Sequence, residues 1–284
     1  MTILFLLYIK LCEHISTQTV SKCKRSNYKG IDFILNRDKL NIPVDMTIGE
    51  NPTSRPVDWL EEILLYKTSA NIYMCYHKLL PRSTFSKENS EIAAALFTSH
   101  KITMSKYENS RDNDSILWIF HGDGEIPHGS YAQSILGGKV LMLDPEYNEE
   151  KFTQKLESCN LSCPPNLECH KTKAEIFLNN YTPDKTIKLI MVIGIHSHAN
   201  TNKIWTLLDN HNLPMIFICI PCCKNICHVP TLSSVQLVYD SFNQFNPSFR
   251  LGNSGILSTC NRILIYKNKL VRDDYLATYY YKKY

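Results

Sequence analysis

From Ile116 onward, short apolar runs alternate with polar or amphipathic stretches, and that alternation sets the expected fold. Ile116–Phe120 (ILWIF), Ile187–Ile195 (IKLIMVIGI) and Met215–Ile220 (MIFICI) are continuous apolar runs. Such runs suit strands covered on both faces. Lys139–Leu143 is a second short strand, and Leu167–Lys173 a third. Helical or turn segments fall between them. Gly129–Leu136 is stopped by Gly137-Gly138, and Glu149–Leu156 is amphipathic. Ala174–Asn180 is a short helix or turn closed by Pro183, and Thr201–Asn210 is stopped by Asn212-Leu213-Pro214. Val235–Tyr239 and Arg262–Tyr266 read as two last strands, separated by a long Asn/Ser/Gly-rich loop. Strands and helices in this order predict an α/β domain with a parallel sheet and right-handed crossovers.

The first part of the chain has a different texture. Val57 to Tyr107 reads as helical, with Asp58 as the cap of a helix starting at Trp59 and Glu61 and Glu62 in its first turn. Trp59, Leu60, Ile63 and Leu64 share one face. Pro81 breaks the pattern, and Ser86 or Ser90 opens a second helix through Ala93–Phe97. The polar stretch Tyr107–Asp114 is a loop and a boundary. The expected division is therefore a partly helical accessory region over 1–110 and the α/β domain over 111–284. The N-terminal run Ile3–Ile9 has seven apolar residues, against the ~20 that a spanning helix needs. It lacks the preceding positive charge of a signal peptide, so we expect a buried strand or helix. Lys22, Lys24, Arg25 and Lys29 form a basic cluster that is either a solvated face or a nucleic-acid contact.

Composition narrows the chemistry modestly. A 44% apolar, 20% charged chain of 284 residues is globular, with room for a sizeable core. Its formal charge of +4 permits RNA contact without requiring it. Eleven cysteines, odd in number and clustered, argue for a reducing, cytoplasmic setting rather than a disulfide framework. Cys159, Cys163, Cys169 and His170 form one thiol and imidazole cluster; Cys219, Cys222, Cys223, Cys227 and His228 form another. Neither has paired C-x2-C spacing, so we assign no metal; structural zinc is the alternative.

Candidate chemistry gathers at three strand ends. His121-Gly122-Asp123-Gly124 is a glycine-paired turn after the first strand, although Pro127 stands where the third glycine of a G-x-G-x-x-G motif would fall. Asp144 ends the second strand. An acid there accepts ribose hydroxyls in nucleotide-binding βαβ units; preceding Pro145, it serves equally as a turn former. His196 follows the fourth strand, at the crevice where α/β sheets bind ligands.

Taken together, these features resemble the Rossmann-like S-adenosylmethionine-dependent methyltransferases, over roughly Ile116 to Leu270. The resemblance is sharpest at Ile193–His228. There Gly194-Ile195-His196 and Pro221-Cys222-Cys223 are similar to the G-[IL]-H … P-C-C segment of a group that includes tRNA ribose methyltransferases. It implies a mostly parallel sheet with an antiparallel last strand and helices on both faces, behind the helical accessory region. It implies S-adenosylmethionine as cofactor and RNA as substrate. Gly122, Asp123 and Gly124 would lie under the amino-acid tail and ribose, Asp144 would take the ribose hydroxyls, and Thr172 and Lys173 would face the adenine. His196 would line the cofactor crevice and remove the acceptor's proton; an ordinary loop histidine is the plainer reading. The group's Cys-Gly is His198-Ala199 here, its following acid is Asn200, and Phe120 replaces the acid two residues before the first glycine. Those departures motivate the alternative of a catalytically inactive module that binds RNA or a protein partner.

Overall fold

The computed structural model describes residues 56–80, 85–104, 113–221, 236–240 and 263–271. The basic cluster, the N-terminal apolar run and Cys222, Cys223, Cys227 and His228 lie outside the described residues. Three helices come first: α1 (Pro56–Lys67), α2 (Ala70–Leu79) and α3 (Phe85–Met104). Then follow β1 (Ile116–His121), α4 (His128–Leu136), β2 (Lys139–Leu143), α5 (Glu149–Glu157), β3 (Leu167–His170), α6 (Ala174–Phe177), β4 (Leu189–Ile195), α7 (Thr201–Asp209), β5 (Met215–Ile220), β6 (Gln236–Asp240) and β7 (Leu264–Lys267).

The seven strands form one sheet in the order β3-β2-β1-β4-β5-β7-β6. Strands β1 to β5 pair in parallel, and β7 runs antiparallel to both β5 and β6. This is the mostly parallel, Rossmann-like sheet expected from the sequence, antiparallel last strand included. Chain order reverses direction between β1 and β4, which pair from Ile116↔Leu189 to His121↔Gly194. A crevice outside the carboxyl ends of those two strands is the topological switch point of an open α/β sheet.

Period-2 alternation divides the side chains between two cores. Trp118, Phe120, Met142, Met191, Ile193, Ile216 and Ile218 face one layer, built from α1 to α5. Leu117, Ile119, Leu141, Ile190, Val192 and Phe217 face the other, where Ala174 of α6 and Ile204, Trp205 and Leu208 of α7 cover them. Helices therefore lie on both faces, and α1–α3 form part of the first layer. His100 of α3 stacks on Trp118 of β1 at 5.1 Å between ring centroids.

Two helix starts differ from expectation. Pro56 is the first residue of α1, so Asp58 lies within the helix rather than capping it; proline suits the first helical position because its N–H would go unbonded there anyway. The second helical stretch starts at Phe85, before either serine. Strand β3 stops at His170 instead of reaching Lys173, because its last partner, Leu143, ends β2. Among the described residues, no helix is long and apolar enough to cross a membrane.

A crevice between the glycine turn, the β4 end and helix α3

A cavity of about 400 Å³ opens at the carboxyl ends of β1 and β4. Gly122, Asp123, Gly124, Glu125 and Ile126 form its floor, Ile195 and His196 one side, and Leu79, Glu88, Glu91 and Ile92 from α2 and α3 the facing wall. Four residues singled out by sequence, Gly122, Asp123, Gly124 and His196, thus meet in one hollow.

The floor is shaped by backbone that only glycine holds without strain. Gly122 has φ +79° and Gly124 +86°. A Cβ on Gly122 would lie 2.5 Å from Cβ of Ser197, whereas one on Gly124 would meet nothing within 4 Å. The first glycine is therefore needed for close packing of the β1 turn on the β4 loop, and the second leaves backbone open to a ligand.

Asp123 caps the following helix. Its Oδ1 accepts the Gly129 N–H at 2.9 Å, and its Oδ2 accepts the Ser130 N–H at 2.9 Å and the Ser130 hydroxyl at 2.6 Å. Burial pushes its carboxyl upward, opposed by His128 and these donors. An internal carboxylate thus occupies the amino end of α4, the place that in dinucleotide-binding folds is left for a phosphate.

Asp144 is buried at the tip of β2 and does not line the cavity. Its Oδ2 accepts the Gly124 N–H at 2.9 Å and its Oδ1 the Glu146 N–H at 2.7 Å. It holds the second glycine of the turn from behind. Thr172 and Lys173 follow the end of β3, and Lys173 is exposed. Thr172 N donates to His170 O in a turn, and neither residue lines the cavity.

His196 leaves β4 in a left-handed conformation, φ +52°. Its Nε2 lies 2.7 Å from Oε1 of Glu91, a side chain only 2% exposed. Beneath it, His121 at the tip of β1 is buried, and its Nδ1 meets Ser197 Oγ at 2.7 Å. Burial lowers the His121 pKa to about 4, so the ring is neutral at ordinary pH. Gly194 is fixed by the same ring: a Cβ there would lie 2.6 Å from His121 Cε1.

The rim is tied together by side-chain donors to backbone carbonyls and by an ion pair. His128 Nε2 donates to the Leu79 carbonyl at 2.8 Å, and Lys155 Nζ donates to Leu79 O at 2.9 Å and to Lys78 O at 3.1 Å. Two basic side chains from α4 and α5 thus satisfy the carboxyl end of α2, where helix carbonyls lack internal partners. Lys151 pairs with Glu125. Farther back, Glu61 accepts from Asn89 Nδ2 at 3.0 Å and Tyr73 OH at 2.7 Å and contacts His77 Nε2 at 3.0 Å. Burial raises the Glu61 carboxyl, but His77, Tyr73 and Asn89 outweigh it and hold it below the usual range. This network joins α1, α2 and α3. Among the described residues, no group of three His, Cys, Asp or Glu side chains is placed to hold a metal ion.

Sequence reasoning missed Glu88, Glu91, His128, Lys151 and Lys155. Glu91 carried a usable signal: it immediately precedes the apolar run Ile92–Phe97, so a helix burying that run also draws its carboxylate inward.

No protein-family model and no curated protein matches this chain. Among solved structures, it is similar to a point mutant of MtNAS in complex with S-adenosylmethionine, with TM-score 0.34 and 10% identity over 92% of this chain and 97% of that one. It is also similar to an rRNA methylase from Streptococcus thermophilus, with TM-score 0.37 and 14% identity over 62% of this chain and 97% of that one. The fold class rests on the strand order itself.

Proposed function

We propose that this chain is an S-adenosylmethionine-dependent methyltransferase with RNA as acceptor, its residues 1–110 forming an accessory region of which α3 walls the site. The observation that carries the cofactor reading is Asp123. A dinucleotide would bring a pyrophosphate to the amino end of α4, where the Asp123 carboxylate already takes both N–H donors; like charge and lost donors disfavour it. A sulfonium with an ammonium tail carries positive charge to the same spot. Gly122 and Asp123 would hold that tail, the open backbone at Gly124 would admit the ribose, and the cavity has the size of ordinary small-ligand pockets. Bound there, the cofactor supplies an activated methyl group. The chain's own contribution is to hold donor and acceptor in attack geometry, which accounts for most of the rate in such displacements. RNA as acceptor follows from the motif resemblance, and the formal charge of +4 permits it.

Asp144 favours the second reading, a module that binds RNA or a protein without catalysis, because, unlike Asp123, it does not line the cavity, and both its oxygens serve the protein's own backbone. Calorimetric titration of the folded chain with S-adenosylmethionine and with NAD separates the readings. Binding of the first and not the second is expected. Absence of S-adenosylmethionine binding removes the enzyme reading.

A further inference from the structure

We infer that Glu91 is a positioning residue for His196: it fixes the imidazole proton on Nε2 and leaves Nδ1 as the proton acceptor of the site. The inference rests on the methyltransferase reading for its purpose, but its geometry stands independently. Glu91 comes from α3, outside the β1–β5 scaffold, and reaches across the cavity wall to the end of β4. Its Oε1 lies 2.7 Å from Nε2. The two atoms stand off the line of a good hydrogen bond, so the coupling is chiefly electrostatic. A carboxylate oxygen at that distance repels an imidazole lone pair and attracts an N–H, so the neutral ring carries its proton on Nε2. Nδ1 is buried as Nε2 is, and, unlike Nε2, it has no carboxylate beside it in an ion pair among the described residues. It is therefore kept from bulk water, and an acceptor group reaches it only when binding moves the ring or its neighbours aside.

His196 itself is held from three directions. Its backbone adopts φ +52°, its N–H donates to Ile220 O at 2.8 Å, and the next residue, Ser197, is wedged against Gly122 and bonded to His121. The ring, 22% exposed, forms part of the cavity wall. Fixing one nitrogen of a histidine by a carboxylate sets the tautomer and stabilises the imidazolium formed when the other nitrogen takes a proton. Here the proton of an acceptor O–H or N–H passes to Nδ1, and the electron pair stays on the acceptor atom, which becomes the nucleophile. The resulting imidazolium faces the Glu91 carboxylate. No further oxidant, reductant or metal is needed for that step.

The test is 15N NMR of the full chain with labelled histidine, at about pH 9, well above the ordinary imidazole range near 6.5. Wild type is expected to show His196 protonated at Nε2 and bare at Nδ1. Glu91→Gln is expected to mix the two tautomers and to slow methyl transfer to bulk RNA roughly 10–100-fold, the range lost when a histidine's outer carboxylate partner is removed. A wild-type proton on Nδ1, or an unchanged tautomer in a folded Glu91→Gln variant, overturns the inference. If Glu91→Gln does not fold, the wild-type spectrum alone decides. Failure of the methyltransferase reading appears separately, as absent S-adenosylhomocysteine binding by the wild type.

Discussion

Ser197 fills the space that a side chain on Gly122 would need. The missing Cβ would lie 2.5 Å from Ser197 Cβ and 2.7 Å from its Oγ, at a backbone φ of +79°. Gly122→Ala should therefore destabilise the fold by about 2–4 kcal/mol, combining left-handed strain with a backbone-level clash. Adding Ser197→Gly should recover only a small part of that loss, because it removes the Cβ and Oγ contacts but leaves the backbone Cα at 2.7 Å and the left-handed strain, and it takes away the hydroxyl partner of His121. Urea unfolding of the two single variants and the double variant measures the coupling; strict additivity would contradict the contact.

Asp144→Ala removes the acceptor of two backbone donors, Gly124 N and Glu146 N. Leaving such donors without partners should cost about 2 kcal/mol. Asp144→Asn keeps one acceptor oxygen and should cost less. If S-adenosylmethionine binds the wild type, Asp144→Ala should weaken it by disordering the turn, read by calorimetry alongside the unfolding midpoint.

Asp123→Asn separates capping from charge. The amide can still accept one of the N–H donors at the start of α4, so stability should fall by only about 1 kcal/mol. Removing the negative charge should weaken a cationic ligand roughly tenfold, equivalent to ~1.4 kcal/mol. Equal affinities for the two proteins would show that no positive group of the ligand sits beside this carboxylate.

The buried His121 makes stability depend on pH. Its folded pKa is lowered to about 4 by burial, whereas an unfolded imidazole titrates near 6.5. The unfolded chain therefore takes up the proton first as pH falls. Stability contributed by this site is full above about 6.5, declines between about 6.5 and 4, and levels off below, for a total of about 3 kcal/mol. Replacing His121 with Asn should flatten that stretch of the stability profile. Glu61 acts lower: its carboxyl, held below the usual range, contributes stability that is lost as pH falls through its folded pKa.

Much of the sheet was legible because its strands are short apolar runs bounded by Gly, Pro or Asn. Lys139–Leu143 and Met215–Ile220 are read identically from sequence and structure. What escaped depends on pairing or on distance along the chain. The extent of β3 is set by where β2 ends, which Leu167–Lys173 does not record. The expected face toward adenine, Thr172 and Lys173, leaves the sheet for that reason. The glycine turn and His196 announced themselves by position at strand ends. The run Ile92–Phe97 shows that Glu91 is drawn inward, but that it and Glu88 reach the cavity depends on α3 packing over β4 and β5, a tertiary fact.

The first-layer packing of α1 to α3 has a practical corollary for fragment work. Expression of 111–284 alone would uncover the apolar flank carrying Trp118, Ile216 and Ile218 and strip His100 from its indole neighbour. Such a product should be captured by chaperones or precipitate, and it would bring neither Leu79 nor Glu91 to the hollow. Genetic dissection of this chain therefore has to proceed by point substitution, not by shortening.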